Sequence, residues 1–479
     1  MDAFSAFVPF LLLFGFSLLG VALGTVTGLV PGFHPNNVAF ILLSVSPVIL
    51  ERLRFLTALV PSETLLVLVA ATVVAASVAH TFLNFIPAAF VGAPEGETAL
   101  ALLPAHRMLL EGRAYEATVL SATGSFWSVV FSFLLLVPFY FLFSSLNFYE
   151  TVQSRMLYIL VGISALFILT ESFSERWEAH WAVLLASAVF LLSGLFGCVV
   201  LRMPVPVSPF PLFSSLRSTL LFPALTGLFG LSAVLFSLLY TPEIPEQETE
   251  EPAVERDSRT DRTDRTDRTD RTDRTNRTNR TEERAELVKS AVSGSAFGTL
   301  VSFLPGITSA HATVFAMLAR RNRQPEQVIT TLSGVNTANA IFCLATLFLI
   351  SRPRSGATIA ISQLLPLPLQ HWETAVPPLA LLYLLTAVLV ASLCSFFITK
   401  SAGKQFARAF VKIPYRKMLV GIAVFLFLQV FFFTGVLGLL VLLVGTCIGL
   451  VPIYLGVRRS NCMGVILLNV ILFYIYFYM

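Results

Sequence analysis

The sequence predicts an all-α polytopic membrane protein, built as two structural repeats with broken or re-entrant helices and roughly twelve membrane crossings. Three observations predict it. Apolar residues make up 56% of the 479 positions and charged residues only 13%. The charge is also uneven: residues 241–290 hold 26 of the 60 charged side chains, which leaves about 8% charge for the other 429 positions, against ~25% in ordinary globular chains. A chain so poor in charge cannot cover a water-facing surface, so lipid must be its solvent. Third, Pro-Gly interruptions stand at matching places in two apolar halves, at Pro31-Gly32 and Pro305-Gly306.

A helix needs about 20 residues to cross the hydrocarbon. In the first half the apolar stretches are Phe4–Val30, Val38–Leu50, Leu65–Ala79, Ala117–Leu146, Met156–Thr170, Trp181–Val200 and Leu220–Tyr240. In the second they are Leu287–Leu304, Ala310–Leu318, Val328–Ile350, Ala357–Pro368, Ala375–Ile398, Met418–Tyr454 and Met463–Met479. The shorter ones read as half-helices, and Met418–Tyr454 is long enough for two helices. The start has no basic segment and its apolar run is too long for a signal peptide.

Residues 241–286 are a different material. Arg-Thr-Asp occurs five times from Arg259, then Arg-Thr-Asn twice and Arg-Thr-Glu once. Asp261 and Arg265 make a favourable i,i+4 pair repeated down the run, but no apolar face exists, and the segment reads as a disordered charged linker. Asn276-Arg277-Thr278 and Asn279-Arg280-Thr281 have the form of N-glycosylation acceptors. The chain thus divides into a first transmembrane repeat, 1–240, the linker, 241–286, and a second repeat, 287–479.

The halves correspond in order. Gly24-Thr25 precedes Pro31-Gly32, then His34, Asn36 and Asn37; Gly298-Thr299 precedes Pro305-Gly306, then Thr308, Ser309 and His311. Later, the Pro94-Glu95-Gly96-Glu97 stretch parallels Pro353-Arg354-Ser355-Gly356, each after an apolar stretch carrying asparagine: Asn84 in one, Asn336 and Asn339 in the other. Two matched breaks in one order point to internal duplication. Basic residues cluster at Arg320–Arg323, Lys400–Lys417 and Arg458-Arg459, which positive-inside counting places in the cytoplasm. Three apolar stretches separate the first two clusters, and a return to the same side needs an even number of crossings. The stretch after Arg352-Pro353-Arg354 is therefore expected to dip in and return, which backbone does only where protein or a watery cavity surrounds it.

A Pro-Gly inside an apolar run ends one helix and lets another begin. Residues just after it sit at a helix N-terminus, where unpaired N–H groups and the positive dipole end attract an anion. Candidate substrate-binding residues are therefore Pro31, Gly32, His34, Asn36, Asn37, Pro305, Gly306, Thr308, Ser309 and His311, with Asn336, Thr337, Asn339 and Ser355 beside them. Carbonyls exposed at the preceding helix ends could hold a coupling Na+, and His34 or His311 could carry a coupling H+. A kinked helix with capped ends and histidines satisfied by carbonyls is the structural alternative, as helix–helix bonding is for the asparagines. Glu95 and Glu97 opposite Arg354 read as a gate pair or as interfacial charges.

Other classes fall away. A net charge of +4 is too small for a nucleic-acid footprint. The five cysteines lie singly, with no metal or disulfide spacing, and no cofactor is expected. No hydrolase, zincin or nucleotide-binding sequence is present, so an enzyme is not expected and transport would be secondary or partner-driven.

The two Pro-Gly breaks, Arg320-Arg321 with Pro325-Glu326, the Gly334–Ala340 stretch, Glu111-Gly112-Arg113-Ala114 and Gly227-Leu228-Phe229-Gly230 together resemble the large membrane subunit (TctA) of tripartite tricarboxylate transporters. The likeness runs from about Gly20 to beyond Gly356, skipping the linker. It implies a two-repeat permease moving carboxylate anions with a cation gradient, helped by a small membrane subunit and an extracytoplasmic binding protein. The sequence departs from the family pattern around Ala79-His80-Thr81, at Ala93-Pro94-Glu95, at Arg352-Pro353-Arg354-Ser355, and at Ala233, where the family carries an acid. His34-Pro35-Asn36 is similar to a divergent archaeal branch, which implies a prokaryotic cell membrane. The expectation is a secondary transporter of a small organic anion, its two breaks facing each other near the midplane. An anionic lipid-carrier flippase or exporter and a non-transporting membrane scaffold are the alternatives.

Overall fold

The structure, a computed structural model, describes residues 3–31, 35–91, 102–146, 148–173, 176–204, 220–240, 244–250, 270–320, 324–365, 370–374, 376–410, 412 and 414–478. The described elements are helices. In the first half they are α1 (Ala3–Leu29), α2 (Pro35–Arg52), α3 (Ser62–Leu83), α4 (Phe85–Val91), α5 (Leu102–Leu110), α6 (Ala114–Ser145), α7 (Phe148–Ser154), α8 (Met156–Leu169), α9 (Ala179–Arg202), α10 (Leu221–Leu225) and α11 (Ser232–Leu239). In the second they are α12 (Asp270–Val301), α13 (Ser309–Arg320), α14 (Pro325–Ile350), α15 (Gly356–Leu364), α16 (Leu379–Phe410), α17 (Tyr415–Leu455) and α18 (Gly464–Tyr478). Among the described residues nine helices are long and apolar enough to cross a bilayer, or ten if the bent pair Phe148–Ser154 and Met156–Ser172 is one span.

This is fewer than the roughly twelve crossings expected, and the reasons are physical. The α13 helix has 12 residues and α15 has 9, about 18 and 14 Å at 1.5 Å per residue, too short to cross. In contrast, α17 provides two passes rather than one. Gly435 inside it has φ 63° and ψ −156°, a conformation closed to other residues, and the chain reverses there. Tyr415 at one end lies beside Ser237, and Tyr454 at the other end packs on Phe236.

The direction of each helix follows from its neighbours. Arg113, at the start of α6, pairs with Glu326, at the start of α14, at 2.8 Å. From there the two run side by side, with Ser121 bonded to Ser333 at 2.8 Å, Ser128 to the Gly334 carbonyl at 2.7 Å, and Phe139 on Phe342. Such hydroxyl bonds inside a membrane protein contribute only about 0.6 kcal/mol each, so close packing supplies most of the cohesion. The α16 helix runs the other way along α6: its Gly403 meets Thr118 and its Phe396 meets Phe126. It lies parallel to α3 and α4, from Val67 beside Tyr383 to Phe90 beside Phe410. Hence α3 and α14 run in opposite directions. Their candidate spans are 83% and 78% buried, whereas that of α1 is 33% buried; α3 and α14 form the centre, and exposed Phe7, Phe14, Leu134, Leu191 and Leu428 face outward to lipid.

Leu287, Ile329, Ala402, Phe406, Phe410 and Tyr415 belong to one cluster. Arg320, the basic end of α16 and Arg416-Lys417 thus share one face, the inner one by the positive-inside rule. The required even number of crossings is met by α14 and α16, which run in opposite directions, with the nine-residue α15 between them too short to cross. Arg458-Arg459, expected in a loop, is drawn into the protein instead: Arg459 donates to the carbonyls of Leu228 and Phe229 and to Ser232. Those carbonyls belong to a π-helical turn, Thr226–Leu231. The helical part of the second half begins inside the charged run, since α12 starts at Asp270. Residues 244–250, on the same expected linker, dock on the α5–α6 corner through Gln247, which bonds Leu109 and Ala114.

Candidate functional site

Both breaks end a helix that lies against a central one at very close range. Gly24 of α1 faces α3 so tightly that a Cβ would meet the Ala76 carbonyl at 2.2 Å. Gly298 of α12 faces α14 in the same way, its Cβ meeting the Val335 carbonyl at 2.5 Å. Only glycine permits this, and small residues are how helices approach in a membrane. The register continues toward each break. Gly28 lies against His80, and one turn before Pro305 the Ser302 carbonyl accepts from Cys343 Sγ at 3.6 Å.

The second break is fully described. After α12, Phe303, Leu304, Pro305 and Gly306 form turns, and Gly306 adopts φ +78°. The α13 helix then returns to the face that α12 entered, where Arg320 bonds Glu286 at 2.8 Å and also Ser290. Pro305-Gly306 is therefore the tip of a re-entrant hairpin, and not an interruption of one straight span. Around the tip, a Cβ on Gly306 would lie 3.1 Å from Val470, while Phe303 packs on Phe139, Phe143 and Phe148.

The polar groups of this break are distinct. Thr308 precedes α13, and the His311 ring reaches back to it, with Nδ1 at 2.9 Å from the Thr308 hydroxyl and 3.3 Å from its backbone nitrogen, which donates. The His311 side chain thus does what a glutamate does in a capping box. Its Nε2 is buried and, among the described residues, has no hydrogen-bond partner; the ring packs 4.5 Å from that of Phe167. Ser309 is buried, and its carbonyl accepts from Thr313. On α14, Asn336, Asn339 and Cys343 share one face, and the single Cys343 S–H can donate to Asn339 Oδ1 or to the Ser302 carbonyl. Asn336 Oδ1 and Thr337 Oγ1 are buried without a partner among the described residues.

Arg354 comes to this break as well. Its guanidinium donates to the Phe303 carbonyl, one of the acceptors left over at the end of α12. Ser355 is the N-cap of α15: its hydroxyl accepts from Thr358 N at 3.1 Å, and Thr358 Oγ1 accepts from Ser355 N at 2.9 Å. Its hydroxyl is engaged in the cap. Gly32, His34, Glu95 and Glu97 lie outside the described residues; Pro31 ends the described part of the first break, and Asn36 and Asn37 stand in the first turn of α2. Because α3 and α14 run oppositely, Pro31 lies toward the inner face and Pro305 toward the outer. The expected meeting of both prolines at the midplane is not the arrangement these contacts describe.

Three groups escape a reading of the sequence alone. His80, fully buried, has Nδ1 3.2 Å from Thr27 Oγ1, and Asn84 lies one turn later. At the inner face Arg113 clasps Glu116 through Nε at 2.7 Å and Nη2 at 2.9 Å, while also bonding Glu326. This pairing, first with Glu116 and then with Glu326, raises the Arg113 pKa, and Arg107 and Arg113 lower that of Glu111. A cavity of about 580 Å³ opens here between the ends of α5, α6, α12 and α14. No spacing in the sequence joins Arg113 to Glu326; only the side-by-side packing of α6 and α14 does.

The sequence profile of the tripartite tricarboxylate transporter TctA family matches residues 14–464. An uncharacterized protein of Methanocaldococcus jannaschii is 28% identical over 469 residues, covering 96% of this chain and 98% of its own length. No solved structure matches. With the profile running from α1 to the start of α18, over an all-helical, multiply spanning fold, the chain belongs to the tripartite tricarboxylate transporter TctA family, a family of transporters and not of enzymes.

Proposed function

We propose that this chain is the permease subunit of a secondary transporter that moves a small organic anion, a di- or tricarboxylate, coupled to Na+ or H+. Two inverted repeats, 1–240 and 287–479, alternate access to a site between them, and the family's small membrane subunit and extracytoplasmic binding protein deliver the anion. The observation that carries this reading is the repeated register. Gly24 on Ala76 and Gly298 on Val335 are equivalent contacts made by helix pairs of opposite direction, each leading to a Pro-Gly break. Inverted repeats with discontinuous helices are the arrangement in which secondary transporters build a central site.

The site lies between the two breaks and not at either proline. Its walls are the polar faces of α1, α3 and α14, with Thr27 and His80 on one side and Asn336 and Thr337 on the other. The first turns of α2 and α13 supply N–H groups, through Asn36, Asn37, Thr308 and Ser309, and suit an anion. Hydrogen-bonding atoms inside a membrane protein cost several kcal/mol when left unpaired, so the unpartnered Asn336, Thr337 and His311 atoms favour a polar occupant over a dry core. Arg354, fixed on the Phe303 carbonyl, stands at the outer end.

The test is uptake of radiolabelled succinate and citrate into proteoliposomes, with and without a Na+ gradient and at two pH values. Wild-type uptake that responds to one gradient is expected, with Gly32→Leu and Gly306→Leu abolishing it while inserted protein yield is retained. Normal uptake by both variants rejects the site, and no uptake of any carboxylate by the wild type rejects the transport reading.

A further inference from the structure

The two halves match in register, but their polar groups do not match. Counting from Gly24 on Ala76 and Gly298 on Val335, the α14 residue equivalent to His80 is Asn339, and the one equivalent to Asn84 is Cys343. In the second half this pair has a partner at hand, because Cys343 Sγ lies 3.6 Å from both Asn339 Oδ1 and the Ser302 carbonyl and its one S–H can donate to either. In the first half the position holds an amide. Asn84 is 3% exposed, and neither its Oδ1 nor its Nδ2 has a hydrogen-bond partner among the described residues. It caps α3 where α4 begins, one turn beyond His80 on the same face, and its backbone N–H bonds the His80 carbonyl at 2.8 Å. Gly28 and Thr27, near the end of α1, close the other side of that face.

A carboxamide has two N–H donors and an acceptor with two lone pairs. Enclosing all of it without partners is a large cost that an apolar residue of the same shape would not incur. Leucine has nearly that shape, so the amide is there for something it bonds in another state of the protein. We propose that Asn84 is a substrate-binding residue: its Nδ2 donates to a carboxylate oxygen of the transported anion, on the inner side of the site. The assignment rests on the transport reading above and places the anion-selective contact on the first half. Carboxylate selectivity then belongs mainly to α3, whereas the Cys343–Asn339 pair on α14 is spent within the protein.

Two Asn84 variants and one control test this in proteoliposomes, with succinate and citrate as probes and melting temperature in detergent as the second readout. Asn84→Leu should hold or raise the melting temperature of the ligand-free protein, since it removes an unbonded amide, while raising KM for uptake at least tenfold. Asn84→Asp keeps the shape but removes the Nδ2 donor, a buried carboxyl there being protonated, and should also raise KM. Cys343→Ala should leave KM within twofold. An unchanged KM in Asn84→Leu, or in Asn84→Asp should the leucine variant not fold, overturns the assignment while leaving the transport reading intact. A melting temperature lowered with KM unchanged overturns it too, by showing a structural amide. A wild type that takes up neither anion removes the transport reading and this residue's role together.

Discussion

The α1–α3 pair and the α12–α14 pair solve one problem with one device and then diverge. In each, glycine lets two backbones approach closely, at Gly24 against Ala76 and at Gly298 against Val335, and the approach brings a break beside the face of a central helix. At the breaks themselves the pairs differ. The second hairpin is held at its base by Arg320 on Glu286 and at its tip by Arg354 on the Phe303 carbonyl. Beside the first break stand His80 and an amide that has no hydrogen-bond partner among the described residues. Packing is therefore the shared constraint, and the polar groups are where the halves differ.

The largest expected effect breaks the shared part. Gly24→Leu and Gly298→Leu would each drive a side chain into backbone, which cannot swing aside as a flexible side-chain end can. A loss above about 3 kcal/mol is expected for either, seen as absent folded protein on gel filtration in detergent. Gly421→Leu, where nothing lies within 4 Å, should stay within about 0.5 kcal/mol. A tolerated Gly24→Leu beside an intolerant Gly298→Leu would mean that the halves do not share a packing rule.

A smaller effect separates the halves. Arg354→Leu leaves the Phe303 carbonyl without its donor, and a buried unbonded acceptor costs about 1–3 kcal/mol. The loss should appear as faster hydrogen exchange across the α12–α13 turn, with α1 and α3 unaltered. Exchange rising equally in both pairs would show one coupled unit in place of two. Smaller again is the bond between halves: Arg113 and Glu326 have side chains 31% and 26% exposed, so their coupling should be about 1 kcal/mol or less. Arg113→Glu should lower the melting temperature slightly, and adding Glu326→Arg should recover only part of it, because Glu116 then loses its partner.

How much of this is legible depends on where each signal lives. The membrane class, the two Pro-Gly breaks, the dip at Gly356–Leu364 and the double length of Met418–Tyr454 are all local, written in hydropathy and in proline and glycine. Gly24 and Gly298 are visible as paired glycines, but not as the contact that sets the register, because their partners are 52 and 37 positions away. Asn84 reads only as a marker of correspondence. Its lack of partners is a property of its surroundings, and its equivalence to Cys343 depends on packing and not on residue type. The depth of the breaks is hidden for a related reason: apolar runs give lengths, whereas the inner and outer placement of Pro31 and Pro305 comes from the opposite directions of α3 and α14. The polar run before α12 reads as disorder, since no apolar face is present, yet the helix begins at Asp270, where the apolar half from Leu287 onward provides a formed end to extend.

The smallest expected effect uses pH to loosen one hairpin and leave the other. Glu286 sits at the base of α12, and its pKa is held below the ordinary 4.5, first by the Lys289 hydrogen bond and then by charge and hydrogen bonding to Lys289 and Arg320. A carboxylate with a lowered folded-state pKa contributes stability above its unfolded value, and that contribution disappears as pH falls through the folded value. The clasp between Glu286 and Arg320 should therefore stay closed down to about pH 5 and open only below about 4.5. The carboxylate is largely solvated, so the change should be a local opening and not unfolding. A cysteine introduced at Leu287 in a background without other cysteines, read by labelling with a thiol reagent that stays reactive at low pH, should gain reactivity in that window. The Glu286→Gln protein should be reactive at every pH, and a reporter at Thr25 on the first pair should show no step. A step at both reporters would tie the two helix pairs into one cooperative element and remove the distinction drawn between the halves.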